Sequence, residues 1–348
     1  MNSGFGRYLK DYLEYYNISQ SDFAVRLGIS QKHMNEILNG KKDITLEMAS
    51  NIGRLTNIPV EFIIKSEYRN LVTRELLEAY ENEKNINEKM KKEFYLNELK
   101  ERKWVDFKNI TNAIQNYIDI MDFLKVKDLD SLVKVQEKTL FKKKGNDLNK
   151  LNLWIARADE LSMKQKVHEY HKINFNFMIE DLKKIAFNNN FKNENNEYKE
   201  ITEIQNMLNN YGIYFIVEKA LSGTKVRGCF KVKGKNPAIY ITKNYSVKDS
   251  FYFELFHELG HCKSDYNEAK SKVIVDANEE QEKRADEFAL DMMIDKMAWK
   301  EIEIDYCENN LLKISNKYKI PMSFFVGRLA KLRKITYSSE LYNKYKLQ

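Results

Sequence analysis

Phe251-Tyr-Phe-Glu-Leu-Phe-His257-Glu258-Leu-Gly-His261-Cys-Lys-Ser-Asp265 is the stretch on which the reading of this 348-residue chain turns. It contains an H-E-x-x-H motif. On an α-helix, residues four apart point to one side. His257 and His261 can therefore bind one zinc ion while Glu258 stands beside them as general base. Tyr252, Leu255, Leu259 and Cys262 fall on the opposite side, which is expected to be buried, and Ser246–Asp249 reads as a capping start. Five residues of motif recur by chance. Their position on an apolar helix just after a β-prone region makes them informative.

A catalytic zinc takes three protein ligands and keeps one position open for water. Five histidines occur in the chain and none follows His261, so the third ligand is expected to be a carboxylate. A helix expected over Glu279–Met293 offers several. Glu282 and Asp286 share one face, where Ala285 and Ala289 permit close helix packing. Glu282 is the favoured ligand, with Glu279 and Glu280 as alternatives. Asp286 would orient a ligating imidazole by accepting its N–H. His168 and His171 lack an acidic cluster and read as ordinary helix-surface or core residues. A structural zinc would usually use a closed, often Cys-rich, set of four ligands, whereas this one leaves room for water.

Outward from the motif, Ile213–Val217, Cys229–Val232 and Ala238–Thr242 are β-prone runs separated by Gly and Pro, as in a small antiparallel sheet. Elsewhere helix dominates: 3 Pro and 12 Gly leave few breakers, and 43% hydrophobic residues suffice for sizeable cores. The expected class is α+β, mainly α with a small antiparallel sheet. Three regions are expected: 1–70, a helical stretch 71–200 containing a polar loop Asn188–Glu197, and 201–348. Cys229, Cys262 and Cys307 form no disulfide framework. With no apolar leader or membrane-length run, a cytoplasmic protein is expected. The net charge of +7 permits nucleic acid as a partner. The runs Lys89-Met90-Lys91-Lys92 and Lys142–Lys144 read as solvated surface.

Near the N-terminus, residues 18–40 have the period of two short helices. Phe23, Ala24 and Leu27 form one apolar stripe; Met34, Ile37 and Leu38 form the other. Gly28 can end the first helix in the left-handed conformation and Ser30 can cap the second. In a helix-turn-helix the second helix enters the DNA major groove. That turns Gln31, Lys32 and Asn35 toward base edges and leaves Lys41 and Lys42 for phosphates. The competing reading is a helical hairpin that binds only protein.

Residues 5–70, including SQSDFAVRLGISQKHMNEILNGKKDITLEMASNIGRLTNIPVEFI, resemble the Xre-type domain of HigA-like antitoxins and phage regulators. Ile63 stands where that family often has Trp. Residues 212–265 and 282–332 resemble the ImmA/IrrE metallopeptidases through GIYFIVEK, NPAIYI, FYFELFHELGHCKSD, EKRADEFAL and ISNKYKIPMSFFVGRL. The family's E-x-x-A-(N/D)-x-F-A places Glu282 as third ligand and Asp286 in the N/D position. Met292-Met293-Ile294 departs from the usual Leu-Met-Pro and alters the adjoining wall.

The resemblance implies an N-terminal all-α helix-turn-helix domain joined to a zincin-like metallopeptidase. Its partners would be an operator in double-stranded DNA and a cleaved protein such as a repressor; a homodimer is compatible. In the implied mechanism Glu258 takes a proton from a zinc-activated water and passes it to the leaving amine. An exposed edge of the 213–242 sheet could hold the substrate by strand addition. Tyr306 or Arg328 could stabilise the oxyanion, without a spacing argument for either. The alternative function is a HigA-like antitoxin whose peptidase-like domain senses or binds protein without proteolysis.

Overall fold

Hydroxyl side chains start most of the first helices. The computed structural model, which describes residues 4–80, 83–141, 147–188, 197–243 and 247–346, begins with α1 (Phe5–Tyr15), α2 (Gln20–Leu27), α3 (Gln31–Leu38) and α4 (Leu46–Thr56). Ser19 Oγ accepts the Asp22 N–H at 3.0 Å, Ser30 Oγ the His33 N–H at 3.1 Å, and Thr45 Oγ1 the Met48 N–H at 3.2 Å. Each satisfies a donor that a helix start leaves unpaired. Gly28 has φ +73° and closes α2 in the left-handed region, where a Cβ would be strained.

α5 (Val60–Tyr80) completes this bundle. Phe5, Leu9, Phe23, Met34, Ile52 and Ile63 meet in its core, so Ile63 is a packing residue. Buried Glu67 of α5 accepts the Phe5 N–H at 2.7 Å and pins the start of α1. α6 (Glu83–Glu93), α7 (Leu96–Glu101) and α8 (Ala113–Leu124) follow. Met90 is buried between exposed Lys89 and Lys92, so that basic run is one face of a packed helix. Lys142–Lys144, Ser246 and residues 189–196 of the polar tract lie outside the described residues.

Two compact units divide the chain, Met1–Asp122 and Phe123–Gln348, and the stretch 71–200 is shared between them. The second unit opens with α9 (Leu129–Glu137), β1 (Thr139–Phe141), α10 (Leu148–Ser162), α11 (Phe175–Ala186) and α12 (Glu197–Asn210). Then come β2 (Tyr214–Val217), β3 (Gly228–Lys233), β4 (Asn236–Ile241), α13 (Lys248–Ser264), β5 (Val273–Asp276) and α14 (Glu279–Met293). α15 (Lys296–Ile304), α16 (Glu308–Tyr318), α17 (Met322–Lys331) and α18 (Glu340–Tyr345) close the unit.

The sheet corrects the antiparallel expectation. Its order is β1-β5-β3-β4-β2, with β2 parallel to β4, β1 parallel to β5, and β3 antiparallel to both its neighbours. Gly234, at φ +64°, turns β3 directly into β4, and β4 then lies between β3 and β2. The sequence expectation was of a small antiparallel sheet and so missed both parallel pairs. The β2 edge is not open for strand addition at Phe215, because Gln165 takes both its N–H (3.2 Å) and its carbonyl (2.6 Å). On α10, Asp159 accepts Lys231 Nζ at 2.9 Å and Tyr240 OH at 2.6 Å, bracing β3 and β4.

α13 is buried on nearly all sides, more than the single apolar face expected, and the polar side chains of Glu254, His257, Glu258 and His261 are buried with the apolar ones. Tyr252, Leu255, Phe256 and Leu259 share one core with Phe215 and Phe230 of the sheet and with Phe324 and Phe325 of α17. No helix among the described residues is long and apolar enough to cross a membrane.

Candidate functional site

α13 and α14 cross where side chains are smallest. A Cβ on Gly260 would lie 2.9 Å from Ala285 Cα, closer than such atoms approach. That close crossing sets Glu282 opposite the two histidines. His257 Nε2 and His261 Nε2 are 3.1 Å apart, and each is 3.5 Å from a carboxylate oxygen of Glu282. Among the described residues this is the one cluster of three or more His, Cys, Asp or Glu side chains able to hold a metal ion. Glu279 and Glu280 are exposed, and Glu280 pairs with Arg284. His168 and His171 sit exposed in irregular chain, neither on a helix nor in the core.

The outer partners fix the rings. Asp286 Oδ1 lies 2.9 Å from His257 Nδ1, and Asp265 Oδ2 lies 2.8 Å from His261 Nδ1. Carboxylates there assign the proton of each neutral ring to Nδ1, leaving both Nε2 lone pairs facing one spot. Two lone pairs at 3.1 Å repel unless a proton or cation lies between them. A tetrahedral zinc at about 2.0–2.1 Å from each ligand atom separates those atoms by about 3.3–3.4 Å. The three spacings observed fit that ion.

The electrostatics point the same way. Burial alone would lower the histidine pKa values, but hydrogen bonds donated to Asp286 and Glu282 raise His257 to about 10. Asp265 and Glu282 raise His261 to about 9 in the same way. Burial opposes ionisation of Glu282 too, yet both imidazoles and the Ala277 N–H, 2.7 Å from Oε1, hold it well below the usual carboxylate range. The site therefore favours positive charge, and a metal there must displace protons.

Asp265 and its supports escaped the sequence reading. Asn278 and Gln281 form a capping box at the start of α14. Gln281 Nε2 then donates to Asp265 Oδ1 at 3.1 Å, and Arg284 Nη2 donates to the same oxygen at 3.0 Å. The cap of one helix thus steadies the ring orientation of His261 on the other. The signal was available, since Asp265 is four residues after His261.

Glu258 is buried on the sheet side of α13. A Cβ on Gly228 of β3 would lie 2.4 Å from its Oε1, so glycine makes the space for this carboxylate. Its Oε2 is buried without a hydrogen-bond partner. Burial raises its pKa, Glu254 adds to the rise, and the two histidines oppose it. Tyr306 lines a different cavity, with Cys307 and Ile304, and does not line the space over His257 and Glu282. Lys225, Arg227 and Lys331 line the space over His257 and Glu282.

In the first unit, α3 buries Met34, Ile37 and Leu38 and exposes Gln31, Lys32 and Asn35. Lys41 and Lys42 are exposed just beyond it. Asn35 Oδ1 accepts Asn39 Nδ2 at 2.7 Å, which pre-orients its amide.

Residues 9–63 match the helix-turn-helix family. No curated protein and no solved structure matches the chain.

Proposed function

We propose that this chain is a DNA-binding transcriptional regulator whose second unit is a zinc-dependent endopeptidase acting on a partner protein. The helix-turn-helix match supports the first half. The observation that carries the second is Glu258: a buried carboxylate with an unpartnered oxygen, one residue from an imidazole pair that converges on Glu282. A structural centre has no use for an uncoordinated, buried carboxylate beside its ligands. A general base does, because it must accept and return a proton while staying off the metal.

His257, His261 and Glu282 would hold zinc, which supplies Lewis acidity toward a water and a peptide carbonyl. Asp286 and Asp265 keep both imidazoles turned to their shared spot. Gly228 lets Glu258 lie at the base of the site, and burial keeps its proton affinity high enough to take a proton from a water and deliver it to a leaving amine. Phe253, whose ring lies 6.2 Å from that of His257, gives the site an apolar wall on one side.

Metal analysis of the full chain tests the centre. One zinc per chain is expected, lost in His257→Ala or His261→Ala and strongly weakened in Glu282→Ala. Stoichiometric zinc retained after both histidine changes refutes the centre. Incubation of the zinc-loaded protein with proteins encoded beside it tests the cleavage.

A further inference from the structure

The centre opens sideways. The cavity over His257 and Glu282, of about 160 Å³, shares Lys225, Val226, Arg227, Phe253 and Lys331 with a neighbouring cavity of about 820 Å³. The larger one has an apolar wall that includes Leu290, Met293, Ile294 and Phe324. Set into its lining are three buried polar atoms with no hydrogen-bond partner: Thr224 Oγ1, Asp249 Oδ1 and Arg328 Nε. Unpaired buried polar atoms are uncommon in folded proteins, and the two donors among these, Thr224 Oγ1 and Arg328 Nε, call for an acceptor group of a ligand.

The sign of that group follows from the lining. Lys225, Arg227, Arg328 and Lys331 place four cationic side chains in the lining and Asp249 one acid, and the preference rests on Arg328 and Lys331. The Asp249 carboxylate is engaged by the N–H groups of Asp249 and Ser250 at the start of α13. Arg328 lies over the Trp299 ring, its Cζ 3.9 Å from the centroid. The nearby acids Glu303 and Asp291 are held by Trp299 Nε1 at 2.8 Å and Lys296 Nζ at 2.8 Å. An apolar side chain entering here would leave Arg328 Nε and Thr224 Oγ1 unpaired, and a basic one would meet like charge. A neutral amide offers an acceptor without the charge.

We propose that this cavity takes an acidic side chain of an extended polypeptide whose backbone crosses the centre formed by His257, His261 and Glu282. The position of the backbone rests on the peptidase reading; the preference for acid rests on the cavity's own lining. The experiment measures binding before cleavage. Full-length, zinc-loaded Glu258→Gln is titrated with two fluorescent heptapeptides that differ only in a central Glu or Gln.

The Glu peptide is expected to bind roughly tenfold more tightly at low salt, the scale of one charge-assisted hydrogen bond. Arg328→Met keeps a long side chain over Trp299 and should bring the ratio to about twofold or less. Lys331→Met, at an exposed position, is a second variant and should lower the ratio about threefold. Equal binding, no binding of either peptide, or a preference that both variants leave intact overturns the proposal. Cleavage of the Glu peptide by the unmutated protein is read separately. Preference without cleavage keeps the acid pocket and removes the peptidase reading; cleavage without preference does the reverse.

Discussion

Glu258 rests on a neighbour that has no side chain. Its Oε1 occupies the place where a Cβ on Gly228 would project, 2.4 Å away, and Oε2 is left unpaired. Gly228→Ala is therefore expected to displace the carboxylate and leave the ligands untouched. Zinc content should stay at one per chain while cleavage falls by about two orders of magnitude, the usual worth of a general base. Loss of zinc from Gly228→Ala would show that Gly228 supports the ligands instead. Asp249 gives a second residue-scale expectation. Burial raises its pKa from 3.8 to about 6, with Lys331 opposing. The stability this group contributes is then fully present below about 3.8 and lost as pH rises through about 6. Asp249→Asn should become more stable relative to the unmutated chain between pH 4 and pH 7, by up to about 2–3 kcal/mol. Denaturant midpoints of both proteins across that range check it, and a constant difference refutes it. Of these residues the motif made Glu258 legible. Gly228, thirty positions earlier, carries no local signal, because its role exists only once β3 lies against α13.

Where α13 crosses α14, the spacing of two helices sets the geometry of three ligands. Gly260 fills the second variable position of H-E-x-x-H, and any Cβ there meets the backbone of Ala285. Gly260→Ala should push α14 outward and carry Glu282 with it. A zinc affinity at least about tenfold weaker and a melting temperature several degrees lower are expected. Competition with a chelator and thermal unfolding measure the two effects, and unchanged affinity would show that Glu282 does not depend on this crossing. Both helices were readable, since a spacing of four residues and Ala285 and Ala289 on one face specify their contact. The sheet was less so. β2, β3 and β4 show their β-branched and aromatic runs, but β1 has three residues and β5 has four. Such short runs are indistinguishable from loop until a partner strand supplies the hydrogen bonds. The same limit explains the parallel β2–β4 pair, which depends on the hairpin folding back and not on either strand's own pattern.

At the scale of the whole chain, one sequence carries a reader of DNA in its first unit and a candidate metal centre in its second, and each has its own core. Separate cores make the two activities separable by mutation. Gln31→Ala with Lys32→Ala alters only exposed side chains of α3, so the capped helix and its buried Met34, Ile37 and Leu38 remain. Each lost base contact should cost about 1–3 kcal/mol, and the remaining binding should weaken with added salt as phosphate contacts are screened. Zinc content of the double variant should not change. Specific binding that survives the double change would move the reading surface away from α3. Glu258→Gln supplies the complementary half, because it keeps size and helix propensity and removes only the basic carboxylate. It should retain zinc and DNA binding and lose cleavage. In cells, loss of regulation with this variant identifies proteolysis as the output. Regulation that persists intact shows that the second unit acts by binding or sensing, as an antitoxin-like regulator does. Loss of zinc from Glu258→Gln would contradict the division between ligands and base on which both expectations stand.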